Sequence, residues 1–250
     1  LMHIYLIEAG DRLLAGMSPE SSKKAYDFLK SMGVDIQFGK MVTDYRDHKV
    51  IMKDGSEIPT RTFLWVSGIR ANAMPGIDES HLGRGFRFKV DQFNRIPGLD
   101  GVFAIGDQCL QTTDEAYPNG HPQVAQVAIQ QAKNLAKNLK KINEGQTESS
   151  LTAFKYNNLG SMATIGRNKA VVEIGKLRSQ GFFAWILWLV VHLRSILGVK
   201  NKMMVLLNWL WKYVSYNDSI RMITYATKPR EVVERMEREQ TTHLGEDLMD

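Results

Sequence analysis

The sequence contains little cysteine and no long uncharged apolar segment. Its 250 residues include one cysteine, Cys109, which excludes an intrachain disulfide and any metal site built only from cysteines. The longest stretch of the carboxy-terminal region without Asp, Glu, Lys or Arg, residues 179–193, is fifteen residues long. Spanning a bilayer takes roughly 20 residues, and the mean hydropathy of -0.25 also argues against a polytopic membrane protein. With 44% hydrophobic and 24% charged residues, the composition is that of a globular protein.

The net charge of +5 conceals two regions of opposite sign. Residues 229–250 carry three basic and seven acidic residues, whereas residues 176–228 carry eight basic residues and one acidic residue. The basic region also holds four of the five tryptophans. A region both basic and aromatic is typical of a protein that contacts an anionic lipid surface or nucleic acid. We favour the lipid surface over nucleic acid, because residues 185–191 are large and apolar and include no cation.

Apolar alternation and helix signals predict an α/β fold in the amino-terminal half. Ser18 and Pro19 are typical of a helix cap and a first helical position, and Gly33 is expected to end that helix. Asp54 and Gly55 predict a hairpin turn. Strands are predicted over residues 3–8, 34–38, 41–46, 49–53 and 62–67. The pattern indicates a parallel nucleotide-binding sheet with a small antiparallel insertion.

The second half of the chain is predicted to change from α/β to mainly helical. A strand over 101–107 ends in Gly-Asp, and a long helix is expected over about 123–141. A β-hairpin is expected around Asn168, with strands over 161–166 and 169–175. Further helices are predicted over about 182–198, 203–216 and 230–240.

Glu8 closes the first predicted strand. In a dinucleotide-binding βαβ unit, an acid at the end of the second strand accepts hydrogen bonds from the adenosine ribose diol. A carboxylate there also repels a 2′-phosphate and so favours NADH over NADPH. The alternative is a solvated strand end, which the position alone does not exclude.

Gly106 and Asp107 are the last two residues of the predicted 101–107 strand. In flavoproteins with two dinucleotide sites, such an aspartate binds the ribityl and diphosphate region of FAD, and the glycine permits close backbone approach. The helix that begins near Val124 and Ala125 has unpaired N–H groups and the positive end of its dipole at this terminus. These features suit a ligand with an electron-rich edge, such as the pyrimidine edge of a flavin. An ordinary strand-to-loop turn is the alternative interpretation.

Gln126 and Gln130 are four residues apart and share a helix face. Two amides beside small alanines could line a slot for a flat ring that carries carbonyl groups, such as a quinone. A polar surface stripe is the alternative.

These features, in this order, resemble those of type II NADH:quinone oxidoreductases. The most specific feature is the Ala-Gln-x-Ala-x-Gln block at 125–130, whereas Gly-Asp is shared by the wider superfamily. The resemblance covers about residues 1–228, and the acidic tail lies beyond it. The other matching segments are the strand ending in Glu8 and residues 65–68, 102–107, 154–156 and 160–166, followed by the Trp-rich basic region.

The resemblance implies a flavoenzyme that passes hydride from NADH to FAD and two electrons from FAD to a membrane quinone, without pumping protons. The implied cofactor-binding residues are Glu8, Gly68, Gly106, Asp107, Val124 and Ala125, and the implied quinone-binding residues are Gln126 and Gln130. No G-x-G-x-x-G motif is present, so the chain is expected to be the carboxy-terminal portion of such an enzyme. No metal site is expected, and no catalytic residue is assigned.

Four regions are expected on this basis. Residues 1–75 form part of an NADH-binding domain, 76–150 part of an FAD-binding domain with the quinone-site helix, 151–228 a membrane-anchoring domain, and 229–250 a charged tail. The expected fold combines partial Rossmann-like domains with a β-hairpin and amphipathic helices. Attachment is expected to be peripheral, at the cytoplasmic face of the inner membrane, on an anionic lipid surface. The residues implicated are Trp185, Trp188, Arg194, Trp209, Trp211 and Lys212.

Several alternatives stay open at this point. The 182–216 region could form a buried helical hairpin or a homodimer interface. The enzyme could be another flavoprotein reductase with a different acceptor. Alternatively, this chain could be a non-catalytic membrane-docking or dimerisation module. Cys109 is expected to be structural. For His121 a capping or loop role is favoured, and a place near the quinone slot is the alternative.

Overall fold

The computed structural model describes residues 3–72, 74 and 76–215, and within these ranges it confirms a mixed α/β fold. The predicted helix over 230–240 and the charged tail lie outside the described residues. The strands are β1 (Ile4–Ile7), β2 (Val34–Gln37), β3 (Val42–Arg46), β4 (Lys49–Met52), β5 (Glu57–Pro59), β6 (Phe88–Val90), β7 (Cys109–Gln111), β8 (Ser161–Gly166), β9 (Lys169–Ile174) and β10 (Leu177–Gly181). The helices are α1 (Pro19–Ser31), α2 (Ala125–Asn143), α3 (Phe182–Ser195) and α4 (Val199–Ser215).

The amino-terminal region contains a βαβ unit and an antiparallel insertion, as the sequence predicts. β1 and β2 pair in parallel, and α1 connects them. The Ser18 hydroxyl caps α1 by accepting a hydrogen bond from the Ser21 N–H at 3.3 Å, and Pro19 occupies the first helical position. β3, β4 and β5 form the antiparallel sheet, in which Gly55 turns the chain with a φ of 82°.

Two predicted strands, over 62–67 and 101–107, are not strands in the structure. Leu64, Trp65 and Val66 are 78%, 60% and 92% exposed, and Phe103 forms a single bridge with Arg95. A strand needs a hydrogen-bonded neighbouring strand, and the described part of the chain places none beside 62–67. Residues 102–104 bond only to the short segment 94–96, through two backbone hydrogen bonds of 3.0 Å, and this pairing is too short to form a strand. Residues 106–108 form a single helical turn instead. The next three residues form β7, which pairs in parallel with β6; neither strand was predicted from the sequence.

The predicted hairpin at 161–175 is the first part of a three-stranded antiparallel sheet, β8–β9–β10. The third strand escaped prediction because its sequence, Leu-Arg-Ser-Gln-Gly, lacks the apolar alternation that indicates a strand. Fully buried Ala170, Val172 and Ala184 pack together between this sheet and the first turn of α3. Four partly buried side chains complete this cluster: Met162, Ile174, Trp185 and Leu187.

The chain divides into a unit of residues 1–189 and a unit of residues 190–250. The described part of the second unit comprises the end of α3 and the whole of α4. Among the described helices, none has the length and apolar character needed to cross a membrane.

Candidate functional site

The structure brings the Gly106–Asp107 turn against the beginning of α2. Gly106 has a φ of 65°, and a β-carbon placed there would lie 3.2 Å from Ala128 Cβ. The Gly106 N–H donates to Gln131 Oε1 at 2.7 Å, and Gln123 Nε2 donates to the Asp107 carbonyl at 3.2 Å. The turn and the helix are therefore in direct contact, and glycine at 106 allows this close approach.

The amino terminus of α2 presents backbone donors with no local acceptor. Val124 occupies the cap position but its apolar side chain cannot accept a hydrogen bond, and the first turn contains no acidic residue. Within the described residues, the Ala125 and Gln126 N–H groups have no hydrogen-bond acceptor. Asp107 is exposed beside them, and its carboxylate receives no hydrogen bond from the described residues. Such a helix terminus is suited to binding an electron-rich group.

Gln126 and Gln130 hold the backbone of an extended segment, residues 152–160, which we call the strap. Gln126 Nε2 donates to the Gly160 carbonyl at 2.9 Å, and its Oε1 accepts from the Leu159 N–H at 3.1 Å. Gln130 Nε2 donates to the Asn157 carbonyl at 2.9 Å, and its Oε1 accepts from the Asn157 N–H at 3.1 Å. Both side-chain amides are thus engaged with the strap.

The same pattern of amides continues along α2. Asn134 Nδ2 and Asn138 Nδ2 both donate to the Thr152 carbonyl, at 3.0 and 2.9 Å, and Asn138 Oδ1 accepts from the Thr152 N–H at 2.9 Å. Residues 126, 130, 134 and 138 are spaced by four and share one helix face. This amide row was missed from the sequence, although its regular spacing was visible there.

Glu8 and Gly68 lie apart from the Gly106 turn. Glu8 directly follows β1, one residue beyond the strand, and its Oε1 accepts a hydrogen bond from the Gly10 N–H at 2.7 Å. Gly68 has a φ of 79°, and the space around its α-carbon is open. In the described residues no hydrogen bond connects either of them to Gly106, Asp107 or α2.

A buried His–Asp pair lies in the loop that precedes α2. His121 Nε2 is 2.9 Å from Asp114 Oδ2, and the two side chains are 1% and 7% exposed. Burial raises the pKa of Asp114, but hydrogen bonds from His121 and from the Tyr156 and Ala116 N–H groups outweigh that effect and lower the pKa overall. The Asp114 carboxylate therefore connects His121, the loop before α2 and the strap through its hydrogen bonds.

Cys109 is buried at the start of β7. Asn94 Nδ2 and Gln131 Nε2 lie 3.5 and 3.4 Å from its sulfur, and burial raises the pKa of the thiol. A buried thiol with a raised pKa is poorly reactive, so the structure supports the structural role expected for this cysteine. The described residues contain no cluster of three or more His, Cys, Asp or Glu side chains that could hold a metal ion.

The predicted membrane-contacting residues differ in exposure. Trp185 packs partly against the buried cluster of Ala170, Val172 and Ala184, and its ring lies 6.1 Å from that of Phe182. Trp188 and Trp209 are half-buried. Trp211 is 62% exposed, and Arg194 and Lys212 are also exposed.

Two family models match the chain. The pyridine nucleotide-disulphide oxidoreductase model matches residues 2–132, and the NDH2 C-terminal domain model matches residues 158–215. The type II NADH:quinone oxidoreductase Ndh of Mycobacterium tuberculosis is 34% identical over 221 residues, which are 85% of this chain and 46% of that protein. The internal alternative NAD(P)H-ubiquinone oxidoreductase A1 of Arabidopsis thaliana mitochondria is 31% identical over 235 residues, covering 88% of this chain and 46% of that protein. The chain thus spans about half the length of these curated relatives.

The fold is also similar to those of solved structures. The structure of NDH2 from Plasmodium falciparum in complex with NADH superimposes with a TM-score of 0.78 at 16% identity, covering 88% of this chain and 60% of that one. The sulfide:quinone oxidoreductase of Aquifex aeolicus gives a TM-score of 0.60 at 13% identity, covering 90% of this chain and 56% of that one. At these identities the likeness concerns the fold alone. The chain belongs to the pyridine nucleotide-disulphide oxidoreductase family, and the resemblance to type II NADH:quinone oxidoreductases that its sequence indicates is confirmed.

Proposed function

We propose that this chain acts in a flavoenzyme that transfers two electrons from NADH through FAD to a quinone. The observation that carries the proposal is the uncapped start of α2, packed directly against Gly106 and Asp107. The names of the relatives, which act on NADH and quinone, support the same chemistry. Acceptors such as ferredoxin or sulfide are the alternative.

The residues around α2 fit FAD. The Ala125 and Gln126 N–H groups lack an acceptor within the described residues and are suited to the pyrimidine edge of the flavin, next to the Val124 backbone. Asp107 is proposed to bind the ribityl and diphosphate region, and Gly106 allows the turn to lie close to the helix. When bound, FAD would supply the hydride acceptor and the electron donor for the quinone.

Glu8 and Gly68 are proposed to bind NADH. One carboxylate oxygen of Glu8 is held by the Gly10 N–H, which orients the other oxygen for the hydroxyls of the adenosine ribose. The same carboxylate would repel a 2′-phosphate, so we expect a preference for NADH over NADPH. Gly68 leaves open space for close approach of the nucleotide.

The quinone is proposed to lie beside Gln126 and Gln130. Because both amides hold the strap, a ring at this place would contact the glutamine side chains and the strap backbone together. Transfer of two electrons and two protons converts the quinone to a quinol.

The test separates the two half-reactions in the holoenzyme. In Gln126→Ala and Gln130→Ala, we expect the rate of flavin re-oxidation by quinone to fall on the order of 10²-fold, because removing positioning groups costs about that much. Flavin reduction by NADH in a single turnover should stay within about twofold. Asn134→Ala is the matched control, since Asn134 belongs to the same amide row but lies further along α2. Equal losses in both half-reactions would contradict the quinone site.

Membrane attachment is proposed for the region that contains α4. Six of its exposed apolar side chains recur every three or four positions and so share one helix face: Val199, Met203, Leu206, Leu207, Leu210 and Val214. Asn201, Asn208 and Lys212 lie on the opposite face. Each large apolar side chain that enters the lipid contributes roughly 1.5–3 kcal/mol, and each cation near an anionic leaflet about 1 kcal/mol.

We expect this helix to lie in the plane of an anionic bilayer, as a peripheral attachment at the cytoplasmic face of the inner membrane. The double variant Leu207→Glu/Leu210→Glu should lose binding to vesicles that contain anionic lipid, measured by co-sedimentation. Asn208→Glu, on the polar face of α4, should retain most of the binding. Undiminished binding of the double variant would contradict the proposal, and a dimer-to-monomer change without lipid would assign this face to a homodimer contact instead.

A further inference from the structure

A carboxylate of the carboxy-terminal sheet caps the helix of the βαβ unit. Glu173, on β9, accepts the Ser18 N–H with both oxygens, at 3.0 and 3.3 Å. Its Oε1 also accepts the Ser21 hydroxyl at 2.5 Å and the Ser18 hydroxyl. Ser18 is the cap residue of α1, so the negative charge lies at the positive end of the helix dipole. A group about 150 residues away in sequence therefore completes the helix terminus.

The remainder of α1 also lies against this sheet. Lys169, the first residue of β9, donates to the Ser31 hydroxyl at 3.0 Å, and its ammonium is 5.8 Å from the centre of the Phe28 ring. Near the other end of α1, Arg178 on β10 pairs with Glu20 at 3.0 Å. Contacts at both ends fix the helix to the sheet along its length.

Side chains hold the loop between β1 and α1 at three points, and Glu173 is the last of them. At the start, the Glu8 carboxylate binds the Gly10 N–H. In the middle, the Arg12 guanidinium donates to the Ala15 and Met17 carbonyls at 2.7 and 3.0 Å. At the end, Ser18 is bound to Glu173. At the β1 end, the carbonyls of Glu8 and Gly10 also accept hydrogen bonds from the Lys40 and Gly39 N–H groups, at 3.2 and 3.0 Å. A shift of Ser18 would therefore loosen the α1 end of the loop first and reach Glu8 through the Gly10 N–H that holds its carboxylate.

We propose that Glu173 is a positioning residue for NADH binding: it holds Ser18, and through it the 8–18 loop, where the Glu8 carboxylate can accept the ribose hydroxyls. The inference rests on the proposed function, because it takes Glu8 as the ribose-binding group. It adds that the carboxy-terminal sheet contributes to nucleotide affinity without touching the nucleotide. In the antiparallel sheet, Glu173 of β9 lies opposite Ser161, the first residue of β8, which directly follows the strap. Glu173 therefore lies where the sheet adjoins both the strap and α1.

The experiment combines kinetics of the holoenzyme with amide hydrogen exchange. In Glu173→Ala we expect the KM for NADH to rise roughly tenfold, equivalent to about 1.4 kcal/mol, while the KM for quinone stays within about twofold. Amides of residues 9–22 should exchange faster than in the wild-type protein, and those of the β3–β5 sheet should be unaffected. Glu173→Gln keeps one acceptor oxygen and should give an intermediate KM.

The matched control is Glu20→Gln, which removes the exposed ion pair with Arg178 in the same first turn of α1 and should leave the KM for NADH within about twofold. If Glu173→Ala does not fold, Ser21→Ala removes one donor to the carboxylate and should change both readouts in the same direction. Unchanged KM and unchanged exchange at 9–22 would overturn the positioning role.

Glu8→Gln tests the proposed function by itself. If Glu8→Gln leaves the KM for NADH unchanged, the ribose assignment fails, whatever Glu173 does. If Glu8→Gln raises that KM but Glu173→Ala does not, only the positioning role of Glu173 is overturned.

Discussion

The β8–β10 sheet and the 62–69 segment are both rich in apolar residues, yet their environments are opposite. Val172 in β9 is fully buried between β8 and β10 and packs against Ala184 of α3. Val66 has an equally strand-favouring sequence context but is 92% exposed. The difference lies in neighbouring strands, because the described residues supply two for β9 and none for 62–69.

This contrast shows that β-propensity measures fitness for a pleated, half-buried surface and does not by itself form a strand. The 62–69 segment has the composition of a central strand, but no strand among the described residues lies beside it. In the β8–β10 sheet, the central strand β9 is covered on both edges by strands that are close in sequence. Each strand follows the previous one after a short turn.

The largest difference in unfolding free energy is expected when the same charged residue, aspartate, replaces valine in both regions. Val172→Asp should lower the free energy of unfolding on the order of 4 kcal/mol, because a carboxylate would be buried without a partner. Val66→Asp, at an exposed position, should change it by no more than about 0.5 kcal/mol. Chemical denaturation of the two variants measures both values, and similar losses would refute the distinction.

An intermediate loss of unfolding free energy is expected at Gly160, the residue that precedes β8. Gly160 has a φ of 111°, and a β-carbon there would lie 2.3 Å from the Glu173 carbonyl oxygen. Gly160→Ala should therefore cost about 3 kcal/mol of unfolding free energy, from backbone strain and the clash together. Gly175→Ala serves for comparison, since its φ is 55° but the space is open, and it should cost about 1 kcal/mol. Equal costs would show that the backbone at 160 moves freely.

The smallest expected effect is the pH dependence of the unfolding free energy that the contact between Glu173 and Ser18 contributes. Burial raises the pKa of Glu173, but hydrogen bonds from Ser18 and Ser21 outweigh it and lower the pKa overall. A lowered pKa means that the stabilisation is complete above the unfolded-state pKa of about 4.3 and is lost as the pH falls through the folded-state value. The stability difference between wild type and Glu173→Gln, about 1 kcal/mol near neutral pH, should shrink below about pH 4.

Urea titrations at several pH values would measure this difference. Asp27→Asn, which removes an exposed pair with Lys23, should give little difference at any pH. A wild-type advantage that persists unchanged to low pH would contradict the ionised contact.

Local signals made much of the fold predictable. The Ser18-Pro19 cap, the Asp54-Gly55 turn and the start of α2 near Val124 lie where the sequence indicated, because each depends on residues a few positions apart. The pairings between distant residues, such as β6 with β7 and Glu173 with Ser18, were not predicted, because a single sequence carries no signal for them.

For the site, the sequence identified the amides of Gln126 and Gln130 but not their partners. Helix periodicity shows which side chains share a face, whereas the strap that they bind is extended and has no periodic pattern of its own. The assignment of ligands to these residues therefore depends on the structure and on the experiments above.

The amide row contacts the strap almost entirely through main-chain atoms. Because every peptide group offers the same N–H and carbonyl, this attachment is indifferent to the identity of outward-facing strap residues such as Lys155, Asn157 and Leu159. These positions are free to accept a fluorescent label, an affinity handle or a crosslinker without loosening the strap. They offer a place from which to observe this side of α2.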